Sequence, residues 1–217
     1  MPTARRLALG PPSRGWTVRP SKRSEIIAAA LRVVERDGVN AVTYESVAAE
    51  AGLTKGGLVY HFPSRESLLV ALQQHLADAW ELALVDAAGK AVEETSAQER
   101  SAAYARVAAT SATRAELLLV LEAAIDTAQA TPWTRLMGAW APPVPTAVPL
   151  SDEDADRLIA YLAADGLWVF DAITGTPLPA DVRARLSERI LHLTRQSSHG
   201  TESAGGRGEP ADADPEG

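Results

Sequence analysis

The chain has 217 residues, of which 46% are hydrophobic, and its formal net charge is −7. It contains no cysteine, which excludes disulfides, thiolate metal sites and cysteine nucleophiles and is typical of a reducing cytoplasm. The first sixteen residues include arginines but no apolar segment, so we predict no signal peptide. The longest charge-free run, Leu136 to Ser151, is interrupted by prolines, so we predict no membrane span and expect a cytoplasmic protein.

Charge is distributed unevenly along the chain. Ten Lys or Arg residues stand against five acidic residues up to Arg65, whereas eleven stand against twenty-three from Glu66 onward. Because the attraction of phosphate is local and is screened beyond about 10 Å, a basic first part on an acidic body is compatible with DNA binding. Uneven charge is also common in soluble proteins, so this pattern supports a DNA-binding motif without identifying one.

Residues 1–20 are rich in Pro, Gly and Arg and lack periodicity, which predicts a disordered basic arm. Such an arm can reach along a DNA groove, although it is more often only solvated. The next segment, Ser21 to Asp37, carries apolar residues at helical spacing and is followed by Gly38. We therefore predict a first helix that ends at this glycine.

The stretch from Thr43 to Phe62 predicts two short helices around a tight turn. Thr43 and Thr54 are suitable N-caps, because a threonine hydroxyl can accept a free backbone N–H of the first turn. Gly52 lies between them and can adopt the left-handed conformation that ends a helix. This arrangement is typical of a helix-turn-helix, whose second helix fits the major groove of DNA. A buried turn in an unrelated all-α protein is the alternative explanation.

The second of these helices offers groups suited to DNA. Lys55 lies at its N-terminus, where free amide groups and the helix dipole favour a phosphate. Two adjacent glycines cost helix stability but permit close approach to DNA or to a neighbouring helix. We predict that the DNA-contacting residues are Thr43, Tyr44, Thr54, Lys55, Gly56, Gly57, Tyr60, His61, Ser64 and Arg65.

A combination of residues between Gly38 and Leu69 is more specific than any single glycine. It consists of Gly38, Thr43, Val47, Ala48, Ala51, Gly52, Leu53, Thr54, Lys55, Gly56, Leu58, His61, Phe62, Ser64, Leu68 and Leu69. This combination resembles the DNA-binding domain of the TetR (tetracycline repressor) family of transcriptional regulators. The family often has a phosphate-contacting Tyr where this chain has Val59, and Tyr60 follows as a candidate replacement.

The remainder of the chain is predicted to be helical, without strand alternation or internal repeats. Ser64 and Ser151 are N-caps of long helices, and Gly175 ends the second of them. Thr131 is predicted to cap a short segment that starts at Pro132. The other predicted helices are Ser96–Ala112, Arg114–Ala130 and Asp181–Gln196. Residues 197–217 form a polar segment that predicts a disordered tail.

The resemblance implies an all-α fold with two parts. A three-helix helix-turn-helix DNA-binding head is expected at residues 21–66, and a larger helical ligand-binding and dimerisation domain at residues 67–196. It also implies a homodimer built on the last two helices. On that basis the interface candidates are Leu158, Leu162, Leu186 and Ile190.

The larger domain contains residue types from which apolar ligand pockets are built, although ordinary core packing explains any one of them. Glu122 and Asp126 lie one helical turn apart and would favour a cationic ligand if both face such a pocket. Together with the resemblance, these residues predict a small-molecule site. Its candidates are Tyr104, Leu121, Glu122, Asp126, Trp133, Met137, Trp140 and Phe170.

Other chemistry finds little support. Asp152, Asp154 and Asp156 have the spacing of a calcium loop, but Arg157 occupies the position of the required glycine. Nucleotide-binding, zinc-protease and nucleophile-elbow patterns are not found in the sequence. We therefore predict no catalytic residue, no metal and no cofactor, and not an enzyme.

The function implied by the resemblance is a ligand-responsive transcriptional regulator. Most such proteins are repressors that bind a palindromic operator in double-stranded DNA as a dimer and leave it when a small molecule binds. The alternative is a helical ligand-binding or structural dimer without DNA binding, motivated by Val59 and the acidic body. An enzyme is the third possibility.

Overall fold

The chain folds into α-helices in the computed structural model, which describes residues 21–110, 112–141, 144, 146 and 149–196. Across these residues there is no β-strand, so the predicted all-α class is confirmed. The predicted arm and tail, residues 1–20 and 197–217, lie outside the described residues. The helices are α1 (Lys22–Asp37), α2 (Tyr44–Ala51), α3 (Lys55–His61), α4 (Arg65–Ala88), α5 (Ala97–Ala108), α6 (Arg114–Ile125), α7 (Thr127–Trp140), α8 (Asp152–Thr174) and α9 (Ala180–Gln196).

The first three helices form a helix-turn-helix with the predicted ends. The Thr43 side chain accepts the backbone N–H of Ser46, which reciprocates in a capping box at the start of α2. Gly52 ends α2 in the left-handed conformation, with φ 65°. Thr54 then caps α3 by accepting the N–H of Gly57 at 3.2 Å. These short-range devices explain why the turn was predictable from sequence.

Two hydrophobic cores hold the helices together. The first core lies under the helix-turn-helix and includes Ile26, Val33 and Phe62, all essentially inaccessible to solvent. The second core lies among α4, α5, α7, α8 and α9. Fully burying one Leu or Phe side chain contributes about 1.5–3 kcal/mol, so each core provides a large part of the driving force for folding.

Helix α4 belongs to both cores. Its first half places Leu68, Leu69 and Leu72 in the first core, and its second half places Trp80 and Leu84 in the second. Ser64 caps it in a second capping box, as predicted. A single helix of 24 residues thus connects the helix-turn-helix with the larger part of the protein.

Helix α6 also reaches into the first core. Ala115 and Leu119 are buried there, beside α1 and α4. At the start of α6, the Arg114 guanidinium donates to the backbone oxygen of Glu35 at 2.7 Å, and the Ala115 N–H donates to the Glu35 carboxylate at 2.7 Å. The C-terminal end of α1 is therefore fastened directly to α6.

The boundary between α6 and α7 differs from the sequence prediction. The continuous helix predicted to Ala130 instead ends at Ile125, and Asp126 takes an extended conformation with φ −103° and ψ 101°. The Asp126 carboxylate accepts the side-chain amide of Gln129 at 2.8 Å, which stabilises this turn. Pro132 lies inside α7 rather than at a helix start. Helix α5 also ends earlier than predicted, at Ala108.

None of the helices in the described ranges is long and apolar enough to cross a lipid bilayer.

Candidate DNA-binding surface and ligand cavity

Helix α3 presents most of its side chains to solvent. Leu58 is fully buried and anchors the helix on the first core, whereas Tyr60 is 84% exposed. A side chain added at Gly56 would meet no atom within 4 Å, so the surface of α3 is open at that point. This geometry suits close approach of a DNA backbone to the N-terminal half of α3.

Lys55, the predicted phosphate contact, forms an ion pair within the head. Its Nζ lies 2.6 Å from Oε1 of Glu45 on α2, and both side chains are mostly exposed. The hydrogen bond from Lys55 holds the pKa of Glu45 below its usual range, and the carboxylate raises the pKa of Lys55. A phosphate that binds Lys55 must therefore compete with Glu45.

Two other predicted contacts are engaged inside the head. The Tyr44 hydroxyl donates to the backbone oxygen of Phe62 at 2.8 Å. The Arg65 guanidinium donates to the backbone oxygens of Val42 and Val39 at 2.9 and 3.0 Å. Tyr44 thus fixes the start of α2 against the end of α3, and Arg65 fixes the start of α4 against the segment between α1 and α2. The sequence did not reveal these structural roles. Whether they also touch DNA stays a prediction.

The larger part of the protein contains a cavity of about 720 Å³. This volume lies within the range of small-molecule sites. Its wall is mostly apolar and is built from five helices, α4 to α8. The lining residues are Trp80, Tyr104, Val120, Ala123, Ala124, Ala130, Trp133, Thr134, Met137, Gly138, Tyr161, Asp165, Trp168 and Val169.

Aromatic rings dominate this wall. The Trp80 ring centroid lies 6.0 Å from those of Tyr104 and Trp133 and 5.4 Å from that of Trp168. The Tyr104 and Tyr161 centroids lie 5.1 Å apart. Most of these pairs meet edge to face, which is a favourable arrangement for aromatic quadrupoles and fixes the rings against one another.

Among the described residues that line the cavity, Asp165 on α8 is the one with a formal charge. Its Oδ1 accepts a hydrogen bond from the Tyr104 hydroxyl at 2.7 Å. Burial raises the pKa of Asp165, and the hydrogen bond from Tyr104 opposes that change. Burial also raises the pKa of Tyr104, with a further contribution from the Asp165 charge, so this hydroxyl remains protonated and able to donate.

The predicted ligand residues fall into two groups. Tyr104, Trp133 and Met137 lie on the cavity wall. The other five lie elsewhere: Trp140 is fully buried in the second core, Leu121 and Phe170 are exposed at 52% and 39%, and Glu122 and Asp126 are not among the residues that line the cavity.

The acidic group of the cavity is therefore Asp165 and not the predicted Glu122 and Asp126. The sequence prediction also left out Trp80, Tyr161 and Trp168. One signal was available, since Asp165 is an acidic residue in the middle of an otherwise apolar part of α8. Its partner Tyr104 is 61 residues away in the chain, and only folding brings the two together.

A short hydrogen-bond chain connects the cavity wall with α4 and α6. The Trp133 Nε1 donates to Oε1 of Gln73 at 2.7 Å, and the Gln73 Nε2 donates to the backbone oxygen of Leu119 at 2.7 Å. Gln73 lies in the first half of α4 and is completely buried. The cavity is thereby joined to the two helices that pack against the helix-turn-helix.

Helices α8 and α9 carry exposed apolar side chains. On α8, Ile159, Leu162 and Ile173 are 54%, 59% and 68% exposed, and on α9 Leu186 is 43% exposed. Of the predicted interface residues, Leu162 and Leu186 thus face solvent and Leu158 is half-buried. Ile190 does not face solvent, because it is only 5% exposed and packs in the second core, and this corrects its prediction as an interface residue.

Two family models match this chain. The model described as "Bacterial regulatory proteins, tetR family" matches residues 26–72, which contain the helix-turn-helix and the first part of α4. The model described as "Tetracyclin repressor-like, C-terminal domain" matches residues 98–195, which contain most of the cavity wall.

Curated relatives are described as HTH-type transcriptional regulators. RutR of Escherichia coli K12 is 35% identical over 60 residues, and this alignment covers 28% of each chain. BetI of Burkholderia thailandensis is 25% identical over 203 residues, which are 81% of this chain and 94% of that protein.

A similar fold is found in the crystal structure of the multidrug binding protein EbrR complexed with imidazole. The TM-score is 0.51 at 23% sequence identity, and the match covers 80% of this chain and 95% of that chain.

Proposed function

The chain belongs to the TetR family of bacterial DNA-binding transcriptional regulators, and we propose that it is a ligand-responsive repressor. In this proposal a homodimer binds a palindromic operator through its two DNA-binding heads, residues 21–66. A small molecule that enters the cavity of residues 67–196 then releases the DNA.

The observation that carries the ligand response is the hydrogen bond between Trp133 and Gln73. Trp133 lies on the cavity wall, and Gln73 is a buried side chain of α4, the helix that continues from the head. A ligand that moves the Trp133 ring disturbs this bond and, through Gln73, the contact with Leu119 of α6. A buried polar group that loses its hydrogen-bond partner destabilises the protein by about 1–3 kcal/mol. Loss of this bond therefore favours an arrangement in which the helices have shifted.

The shift reaches the head through α4 and α6. Helix α4 shares the first core with the helix-turn-helix, and α6 holds the end of α1 through Arg114 and Ala115. In thermodynamic terms the ligand favours a head arrangement that fits the operator less well. It can shift the equilibrium only by the difference between its affinities for the two arrangements.

The dimer proposal is supported by the exposed apolar side chains of α8 and α9. Ile159, Leu162, Phe170 and Ile173 are separated by three, eight and three residues and therefore share one face of α8. Gly166 lies on the same side, is exposed, and leaves open space where a side chain would stand. Two copies of this face can approach closely and bury a continuous apolar strip.

Selection of bound DNA from a random pool tests the DNA half of the proposal. A two-fold protein imposes two-fold symmetry on its site, so the selected sequences are expected to form an imperfect palindrome whose half-sites lie on about one face of the duplex. Recovery of unrelated, asymmetric sequences only would contradict it. Loss of affinity in Lys55→Ala, with a flatter salt dependence, would attribute the binding to α3.

A further inference from the structure

We propose that the cavity selects hydrophobic organic cations. Asp165 is the counter-ion, and the surrounding aromatic rings contact the hydrophobic part of the ligand. This inference names the class of molecule that occupies the cavity and so rests on the ligand response proposed above. It is carried by the composition of the wall, by the isolation of one carboxylate in it, and by the placement of the rings.

Among the described residues, the carboxylate of Asp165 has no cationic partner. The ion pairs on α8 join Arg157 with Glu153 and Asp154, and Arg183 of α9 with Asp171. The influences on the pKa of Asp165 are burial and the hydrogen bond from Tyr104, without a basic group among them. The wall therefore carries one negative charge and, over its described residues, no positive charge.

Asp165 is half-buried, and a carboxylate that loses part of its water without gaining a counter-ion is destabilised in its charged form. The single hydrogen bond from Tyr104 offsets only part of that cost and leaves the second carboxylate oxygen available. A bound cation restores the missing compensation. A neutral molecule of the same shape would displace water from the carboxylate without an attractive charge to compensate for it. An anion would be repelled.

The rings give the same preference by a second route. Trp80, Tyr104, Trp133, Tyr161 and Trp168 all line the cavity. The negative faces of aromatic rings attract cations, most strongly for Trp and most strongly where water is excluded. Their apolar area also favours a ligand with hydrophobic groups, so a small hydrated ion would not satisfy the site.

Binding of a permanent cation requires Asp165 in its ionised form. The neighbouring titratable groups are Tyr104 on α5 and Tyr161 on α8 itself, and burial raises the pKa of both, so they stay neutral. The residues that face the cavity from α4, α6 and α7 are Trp80, Val120, Ala123, Ala124, Ala130, Trp133, Thr134, Met137 and Gly138, none of which titrates. Cation affinity is therefore expected to fall on acidification, starting above the pH at which an exposed aspartate protonates.

The test compares two molecules of one shape by calorimetric titration of the full chain without DNA. N-methylquinolinium carries a positive charge where its neutral isostere, 1-methylnaphthalene, has a carbon. We expect at least about tenfold tighter binding of the cation, and loss of that preference in Asp165→Asn, since one close charge pair in a buried site is worth that much. Asp152→Asn, an exposed acid on the same helix, is the matched control and should keep the preference.

Several results would overturn the inference: equal binding of the two molecules, tighter binding of the neutral one, no binding of the cation, or an unchanged preference in Asp165→Asn. The wild-type pH dependence gives a second test if the variant does not fold, because a cation affinity that is flat between pH 4 and 8 contradicts the role of Asp165. DNA is absent from these titrations. A failure of the ligand to release DNA would therefore contradict the proposed function and leave the cation preference intact.

Discussion

Trp133 and Gln73 are joined by a hydrogen bond of 2.7 Å that links a ring of the cavity wall with a buried amide of α4. The same amide group of Gln73 donates onward to the backbone oxygen of Leu119. A glutamine is suited to this position because it accepts and donates at once. One side chain thus holds three helices in a fixed relation, and the cavity is in contact with all three.

Replacement of Gln73 is expected to uncouple the ligand from the DNA. Gln73→Met keeps the length and apolar volume of the side chain but leaves the Trp133 N–H and the Leu119 oxygen without this partner. Stability should fall by about 1–3 kcal/mol in chemical denaturation. The ratio of DNA affinities without and with N-methylquinolinium should move towards one.

Gln74→Met provides the control for this prediction. Gln74 is the next residue of α4, but its amide bonds Asp78 on the surface of the same helix. Its replacement should change neither stability nor coupling by a comparable amount. If Gln73→Met retains the full ratio of DNA affinities, the relay through this side chain is wrong.

Removal of the Glu45 charge is expected to strengthen DNA binding. Glu45 competes with phosphate for Lys55, and both side chains are exposed. Glu45→Gln should increase affinity by at most about fivefold at low salt, because exposed ion pairs are weak, and should steepen the dependence of affinity on salt. Fluorescence anisotropy over a series of salt concentrations measures both.

Glu94→Gln tests whether net charge alone explains that gain. Glu94 is an exposed acid in the short segment after α4, far along the chain from α3, and its replacement changes the total charge by the same amount. An equal gain in both variants would mean that the Lys55–Glu45 pair has no special role.

A charge on the outer face of α8 and α9 is expected to dissociate the dimer. Leu186→Glu or Leu162→Glu would bury a carboxylate without a partner in the proposed interface, while the protomer itself tolerates a charge at these exposed positions. Light scattering should report the mass of a monomer with unchanged helix content. Ile125→Glu, on an 83% exposed side chain of α6, should remain a dimer. A persistent dimer in both α9 and α8 variants would place the interface elsewhere.

Asp165→Asn is expected to stabilise the empty protein at neutral pH. Burial raises the pKa of Asp165 in the folded state, so the folded protein binds this proton more tightly than the unfolded chain does. The ionised carboxylate therefore costs stability above its folded pKa, and that cost disappears as the pH falls below the pKa of the unfolded chain. Thermal unfolding should show a higher midpoint for the variant at pH 7 and a shrinking difference towards pH 4.

A lower midpoint of Asp165→Asn at pH 7 would show that the hydrogen bond from Tyr104 to the carboxylate outweighs the cost of burying the charge. A gain in stability on removal of a functional group is a common property of binding sites, where a strained or uncompensated group is kept for its ligand.

The helix-turn-helix could be predicted because its determinants are local. Thr43, Gly52 and Thr54 each act on backbone groups within a few residues, and such contacts can be recognised from spacing. The ligand site could not be predicted to the same degree. Asp165 meets Tyr104 only through the packing of α5 on α8, and a glutamate–aspartate pair with suitable helical spacing was a misleading alternative.

Ile190 illustrates a second limit of sequence reasoning. The apolar positions of α9 have one helical periodicity, but some of them pack on the protomer and others face solvent. Ile190 is buried against the second core, whereas Leu186, four residues earlier, is 43% exposed. Periodicity identifies an apolar stripe on a helix, but it does not show which of its residues are buried within the chain and which remain exposed.

The coupling between ligand binding and DNA binding is tested most directly by measuring it in both directions. DNA affinity is determined without and with saturating N-methylquinolinium, and the affinity for N-methylquinolinium is determined without and with saturating operator DNA from the selection experiment. We expect each molecule to weaken the binding of the other by the same factor, since linkage makes the coupling free energy reciprocal. Tight binding of the cation in the cavity with an unchanged DNA affinity would contradict it.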